Sequence, residues 1–105
     1  MTEPFVVPKA WRRYVTLDYG LDMLAAYWIA VDLQGFAYVY RELYEKDLII
    51  SEAAERLLSM TGEEELCRIL APPDLWNRRQ DSGKSAAALF YEHGLRLTRA
   101  SNDRV

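Results

Sequence analysis

The sequence predicts a single α/β domain in which helices pack on one β-sheet. Three strand-like segments fill the first half of the chain, and a helical spacing of apolar residues follows them. The second half then alternates short apolar runs with helical segments. At 105 residues the chain is one domain or part of one, and its 50% hydrophobic content predicts a packed core rather than disorder.

The first half predicts an antiparallel meander of three strands. Residues 14–19 are rich in β-branched and aromatic side chains and end at Gly20. Residues 25–33 mix helix-favouring and strand-favouring side chains. The clearly strand-like residues 36–43 decide between the two, because residues 32–35 form a short turn that ends in glycine.

A helix and a buried strand follow in the predicted order. From Ser51 the apolar residues recur at helical spacing, with Ser51 as candidate N-cap and Gly62 as the stop signal. Residues 66–71 form a short apolar run that predicts a buried strand, and Pro72 ends it.

A second helix and a last strand complete the prediction. The helix runs from about Ser82 to His93 and stops at Gly94, and residues 95–98 form a short strand. The resulting order βββαβαβ implies helices packed on the sheet, with a parallel crossover through each helix.

Charge is unevenly distributed along the chain. The net charge of −3 excludes a strongly basic, stand-alone nucleic-acid-binding domain, so any contact with nucleic acid must be local or metal-assisted. Residues 42–67 hold eight acids and two bases, whereas residues 68–105 hold seven bases and four acids. The last third is therefore basic enough to face a polyanion, although ordinary solvated surfaces also explain both patterns.

Several site classes and locations are disfavoured. The single cysteine, Cys67, excludes an internal disulfide and an all-cysteine metal site, and it is expected to be a buried apolar residue. The uncharged stretch from Met23 to Val31 is about half the ~20 residues needed to cross a bilayer. With no recognisable signal peptide, the sequence predicts a cytoplasmic protein.

Two aspartates are the candidate site. Asp18 ends the first predicted strand and Asp74 follows the fourth. Sites in open α/β sheets form at the carboxyl ends of strands, where converging carboxylates bind hard divalent cations. The alternative is that the two residues serve turns beside Gly20 and Pro73.

The basic residues after Asp74 are candidate contacts to a phosphate backbone. Gly83, Lys84 and Ser85 do not form a phosphate loop, because Arg78 stands where that motif needs its first glycine. Arg78, Arg79 and Lys84 remain candidate DNA contacts, with simple solvation as the alternative. A lone histidine and a lone cysteine give little support to a zinc site or to nucleophilic catalysis.

Five segments together resemble the nuclease domain of phage terminase large subunits. They are WRRYVTLDYG (residues 11–20), AYWIAVD (26–32), YVYRELY (38–44), APPD (71–74) and LTRASNDR (97–104). The resemblance implies a ribonuclease-H-like mixed sheet, truncated at its carboxyl end. Residues 1–105 are then expected to be a single, partial nuclease domain that lacks the packaging ATPase domain.

The resemblance also implies an activity and a site. It implies a metal-dependent endonuclease that cleaves double-stranded concatemeric DNA during genome packaging, in a prophage or phage, with the terminase small subunit and the portal as partners. Asp18 is expected to bridge two Mg²⁺ or Mn²⁺ ions and Asp74 to bind one of them. The third acid of the family has no convincing counterpart, since Asp103 is too close to the last predicted strand. Glu42 and Asp22 are weaker candidates for a metal or water contact.

Two other functions stay open. The chain could be a non-catalytic binding or assembly module of the packaging motor, including an inactive prophage remnant. A resolvase or transposase of the ribonuclease-H-like class would share the carboxylates but lack the tyrosine-rich segment at residues 38–43.

Overall fold

A computed structural model of the chain describes residues 7–20, 23–77 and 83–100. The elements in chain order are β1 (Arg12–Tyr19), β2 (Met23–Val31), β3 (Ala37–Lys46), α1 (Ile50–Thr61), β4 (Arg68–Ala71), a 3₁₀ helix (Pro73–Trp76), α2 (Ala86–Glu92) and β5 (Thr98–Arg99). The predicted order βββαβαβ is confirmed, with the 3₁₀ helix as an addition.

The five strands form one mixed sheet in the order β3-β2-β1-β4-β5. The first three are an antiparallel meander, as predicted. β4 lies parallel to β1, and β5 lies parallel to β4. β1 is therefore the central strand, with the meander on one side and the parallel strands on the other.

The turn between β2 and β3 is built by its own sequence. One carboxylate oxygen of Asp32 accepts hydrogen bonds of 2.9 Å from the backbone N–H groups of Gln34 and Phe36. Gly35 has φ of 94°, a left-handed conformation that side chains disfavour. These features confirm the predicted turn over residues 32–35.

The core lies on one face of the sheet. Alternate residues of β1 and β2 are buried beneath both helices, and Trp28 at the centre of β2 is fully buried. The Trp28 indole N–H donates a 3.0 Å hydrogen bond to Thr61 Oγ1 of α1, which satisfies its one polar group. Within the described ranges, no helix packs on the other face of the sheet, which is here called the open face.

The N-cap of helix α1 lies two residues earlier than predicted. Ile49 is the N-cap, and its backbone N–H donates to the side chain of Glu52 at 3.3 Å. The prediction that Ser51 caps this helix is wrong, because Ser51 already lies within the first turn. The stop at Gly62 is confirmed, and the Gly62 N–H bonds to the Leu58 carbonyl.

Helix α2 begins later than predicted. Ser85 is its N-cap, and the Ser85 hydroxyl accepts a 3.1 Å hydrogen bond from the Ala88 N–H. The predicted start at Ser82 is wrong, since Gly83 has φ of 74° and is not helical. The stop at Gly94 is confirmed, since this glycine has φ of 96°.

A three-residue polar network ties β3 to the connection that follows α1. The guanidinium of Arg41 contacts both carboxylate oxygens of Glu64, at 2.9 and 3.2 Å, and Tyr40 donates a 2.8 Å hydrogen bond to the same carboxylate. Burial and the bond to Glu64 raise the pKa of Tyr40 to about 12. Although partial burial opposes it, hydrogen bonding to Arg41 and Tyr40 lowers the pKa of Glu64.

Truncation of Phe90 tests the one-sided core. Phe90 on α2 is fully buried, whereas its neighbour Tyr91 is 66% exposed. Phe90→Ala should lower the free energy of unfolding by about 3–5 kcal/mol, because it removes buried apolar contacts and leaves a cavity. Tyr91→Ala is the matched control and should change it by less than about 0.5 kcal/mol. Urea denaturation followed by tryptophan fluorescence gives both values, and equal losses would contradict the assigned helix face.

Replacing Glu64 tests the polar network through its pH dependence. Glu64→Gln should cost on the order of 1 kcal/mol of stability at pH 7. Because the pKa of Glu64 is lower in the folded state, its contribution is complete above the unfolded value of 4.5 and is lost as pH falls through the folded value. The difference between parent and variant should therefore shrink below pH 4.5 in urea titrations. A difference that stays constant down to pH 3 would assign the effect to packing instead.

Candidate functional site

The candidate site lies at the sheet edge where β1 and β4 both end. The last paired residues of these parallel strands are Thr16 and Leu70. Asp18 follows Thr16 by two residues, and Asp74 follows Leu70 by four, in the 3₁₀ helix. The structure thus places both predicted aspartates at the carboxyl ends of adjacent strands.

Strand alternation decides which way Asp18 faces. Val15 and Leu17 are buried in the core, so Asp18 lies on the open face, and it is exposed. A carboxylate there keeps its hydration and can be reached by a cation or a large substrate. The same residue one position earlier or later in β1 would face the helices.

The segment that carries Asp74 is held by its apolar neighbours. Pro72 is the N-cap of the 3₁₀ helix and Pro73 occupies its first turn, where a missing N–H costs nothing. Leu75 is 4% exposed and anchors the turn in the core. Asp74 is exposed between these anchors, so its carboxylate is accessible at a defined place in the fold.

The donor chemistry of this edge fits Mg²⁺ or Mn²⁺. Mg²⁺ takes oxygen ligands, retains several waters and is commonly held by one or two carboxylates together with substrate phosphates. Asp18 and Asp74 supply two such carboxylates. Over the described residues, no group of three or more His, Cys, Asp or Glu side chains is arranged to hold a metal. Two protein ligands at most are thus present in this part of the chain.

Glu42 lies on the same face as Asp18 but at a distance. It pairs with Tyr27, which pairs with Thr16, so two interstrand spacings of about 4.8 Å separate it from β1. That separation disfavours Glu42 as a direct ligand shared with Asp18. The other weak candidate, Asp22, lies outside the described residues.

A tyrosine pair beside Asp18 was not singled out by the sequence. Asp18 pairs with Ala25, and Ala25 pairs with Tyr44, so the three share one row across the open face. The rings of Tyr44 and Tyr27 meet edge to face at 5.9 Å, and their hydroxyl groups are hydrogen-bonded. That hydrogen bond raises the pKa of Tyr27. The pairing of β2 with β3 contains a β-bulge between Trp28 and Ile29. Strand period would have placed both rings on this face only if the position of this bulge had been known.

The predicted DNA contacts are only partly described. Arg78 and Arg79 lie outside the described residues. The Lys84 ammonium forms a 2.7 Å ion pair with Glu92 of α2, and both side chains are about half exposed. The hydrogen bond to Lys84 lowers the pKa of Glu92. Lys84 can still face a phosphate, since exposed ion pairs of this kind exchange partners at little cost.

Cys67 is exposed, which contradicts its expected place in the core. It directly precedes β4, and its backbone N–H donates a 2.7 Å hydrogen bond to the Arg13 carbonyl. The backbone pairing therefore begins at Cys67, while its side chain stays at the surface. The sequence prediction failed because the apolar run over residues 66–71 is buried only in part.

Comparison of this fold with solved structures finds a similar structure. It is the crystal structure of the large terminase nuclease from thermophilic phage G20c, with a TM-score of 0.65 over 89% of this chain. The chain shares the fold of that nuclease. Sequence identity is 13%, and the match spans 46% of the phage protein, less than half of its length.

Sequence comparisons add no relative. No family model matches the chain, and no curated protein does so either. The resemblance seen in the sequence is confirmed in the fold, including the α/β class and the mixed sheet. No helix within the described residues is long and apolar enough to cross a membrane.

Proposed function

We propose that this chain is part of a metal-dependent endonuclease domain of the phage terminase kind. The observation that carries the proposal is the position of Asp18 and Asp74. Both carboxylates are exposed at the ends of adjacent parallel strands, in a sheet that shares its fold with a terminase nuclease. Carboxylates at this edge suit a divalent cation and a phosphodiester substrate.

The two aspartates would hold the cation from two different elements of the fold, β1 and the 3₁₀ helix. Asp18 stands on a central strand that is paired on both sides, so its position is fixed by the sheet. Asp74 stands on a short helix anchored by Leu75, so the second carboxylate is fixed by the core. A bound Mg²⁺ or Mn²⁺ supplies Lewis-acid stabilisation of the phosphoryl oxygens and lowers the pKa of a bound water.

The substrate in this proposal is double-stranded DNA, cut as a concatemer during genome packaging. The open face gives a duplex access to Asp18 without displacing any described helix. Arg78, Arg79 and Lys84 are the proposed contacts to its phosphate backbone. The terminase small subunit and the portal are the proposed protein partners.

One observation supports a second function. The described residues contain no group of three or more side chains that could hold a metal, and a non-catalytic module of the packaging motor would not need such a group. Such a module would bind DNA or protein through the same fold and would not need the aspartates. Cation binding and cleavage separate the two functions.

Isothermal titration calorimetry with Mn²⁺ tests the metal site. The parent chain should bind the cation, and Asp18→Asn and Asp74→Asn should each abolish the binding, because a cation shared by two carboxylates needs both. Asp47→Asn is the matched control. Asp47 is exposed and directly follows β3, an edge strand of the sheet. Its φ of 62° is a conformation that asparagine also tolerates.

Loss of binding in the control as well would indicate a diffuse electrostatic effect instead of a site. Binding that survives in both site variants would contradict the proposed pair of ligands.

Duplex cleavage in Mn²⁺ tests the reaction. Metal stabilisation of the transition state is worth several kcal/mol, so Asp18→Asn and Asp74→Asn should each slow cleavage by about a hundredfold or more. The rate is followed on a supercoiled plasmid by gel electrophoresis, with Asp47→Asn again as control. Cleavage that persists unchanged in both site variants would assign it to a contaminant or to another site.

A further inference from the structure

A groove lies at the opposite end of β4 from the two aspartates. It has a volume of about 500 Å³ and lies where β4 begins and where the chain approaches β5. Its lining residues are Leu66, Cys67, Arg68, Ile69, Arg96 and Thr98. Because β4 and β5 are parallel neighbours, residues that are 28 positions apart in sequence, such as Arg68 and Arg96, share one groove.

The groove is positively charged. Its lining includes two arginines and a threonine hydroxyl but no carboxylate. Both arginines are exposed, and neither forms an ion pair with an acid of the described residues. By contrast Arg41 and Arg56, on the meander and on α1, each bind a glutamate. Two unpaired guanidinium groups in a concave surface are suited to bidentate contacts with phosphate oxygens.

The groove lies along the same face as Asp18. Arg68 pairs with Tyr14, and strand alternation places both on the open face together with Thr16 and Asp18. Four residues separate Tyr14 from Asp18, which corresponds to about 13 Å at 3.3 Å per residue. One DNA strand carries a phosphate about every 3.4 Å along the helix axis, so this distance spans roughly four nucleotides.

We propose that Arg68 and Arg96 form a phosphodiester-binding site that anchors nucleic acid about four nucleotides from the Asp18 end of the sheet. The proposal rests on the nuclease function above and names which surface holds the substrate. It adds a further contact to the proposed set of Arg78, Arg79 and Lys84. The anchored backbone then runs along the open face of β1 and β4.

The salt dependence of duplex binding tests this site. Fluorescence anisotropy of a labelled duplex, without divalent cation, gives the association constant at several salt concentrations. The double variant Arg68→Gln/Arg96→Gln should reduce the slope of log K against log salt by roughly 2, since each phosphate contact contributes about 0.9. Lys46→Gln is the control, because Lys46 is an exposed cation on β3, at the far edge of the sheet. It should leave the slope unchanged.

The single cysteine provides a second readout at the groove itself. Cys67 is exposed and lines the groove, so its alkylation by iodoacetamide reports local access. Duplex at saturating concentration should slow alkylation of the parent at least threefold. In the double variant the same concentration of duplex should leave the alkylation rate unchanged. Circular dichroism serves as the control that the variant is folded.

The outcomes distinguish this proposal from the nuclease function. A smaller slope together with lost protection of Cys67 supports the groove. The groove proposal is overturned if the double variant binds duplex with the same slope as the parent and duplex leaves Cys67 of the parent unprotected. Mn²⁺ binding by Asp18 and Asp74 would still decide the nuclease function. A parent chain that binds no duplex at about 50 mM salt, where phosphate contacts are strongest, also overturns the groove. The calorimetric test of Mn²⁺ binding by the aspartates does not depend on this duplex-binding result.

Discussion

The parallel pairing of β1 with β4 is the constraint on which the rest of the structure depends. Its short register, from Tyr14 opposite Arg68 to Thr16 opposite Leu70, joins the meander to the second half of the chain. The same register brings the carboxyl ends of both strands to one edge and their amino ends to the other. The aspartates and the arginine groove are two results of this one pairing. A register slip by one residue would reverse the face of every side chain in β4.

Because the core lies on one side of the sheet only, the side chains of the open face remain accessible. Both helices pack their buried residues against the same side of the sheet, and Trp28 and Phe90 lie in this core. The opposite side keeps Asp18 and the Tyr27 and Tyr44 rings accessible. The packed core and the proposed site therefore lie on opposite faces of the sheet. The core face holds the strands in register, and the proposed binding on the open face would not disturb the packing. A sheet covered on both faces would bury Asp18, at a high cost for an unpaired charge.

Sequence reasoning succeeded where the signal is local. The strands, the turn at Asp32 and the glycine stops follow from side-chain period and backbone freedom, which act within a few residues. The placement of Asp18 and Asp74 at one edge of the sheet was predicted from where the first and fourth strands end. Helix starts were less accurate. Ile49 caps α1 instead of the predicted Ser51, and Ser85 caps α2 although the pattern predicts a start near residue 82. The 3₁₀ helix, the face of Cys67 and the groove depend on which strands become neighbours, which no short segment encodes.

The separation of charge along β4 gives the open face a direction. Arg68 stands at the start of this strand, and Asp74 follows its end, so opposite formal charges lie at the two ends of a strand of four residues. A polyanion is attracted to the basic end and repelled by the acidic end. Neutralisation of the carboxylates by a divalent cation would remove that repulsion and let the phosphate backbone extend across both ends. The proposed cation and nucleic-acid sites would therefore be linked: each ligand would remove a charge penalty for the other, and such linkage is reciprocal.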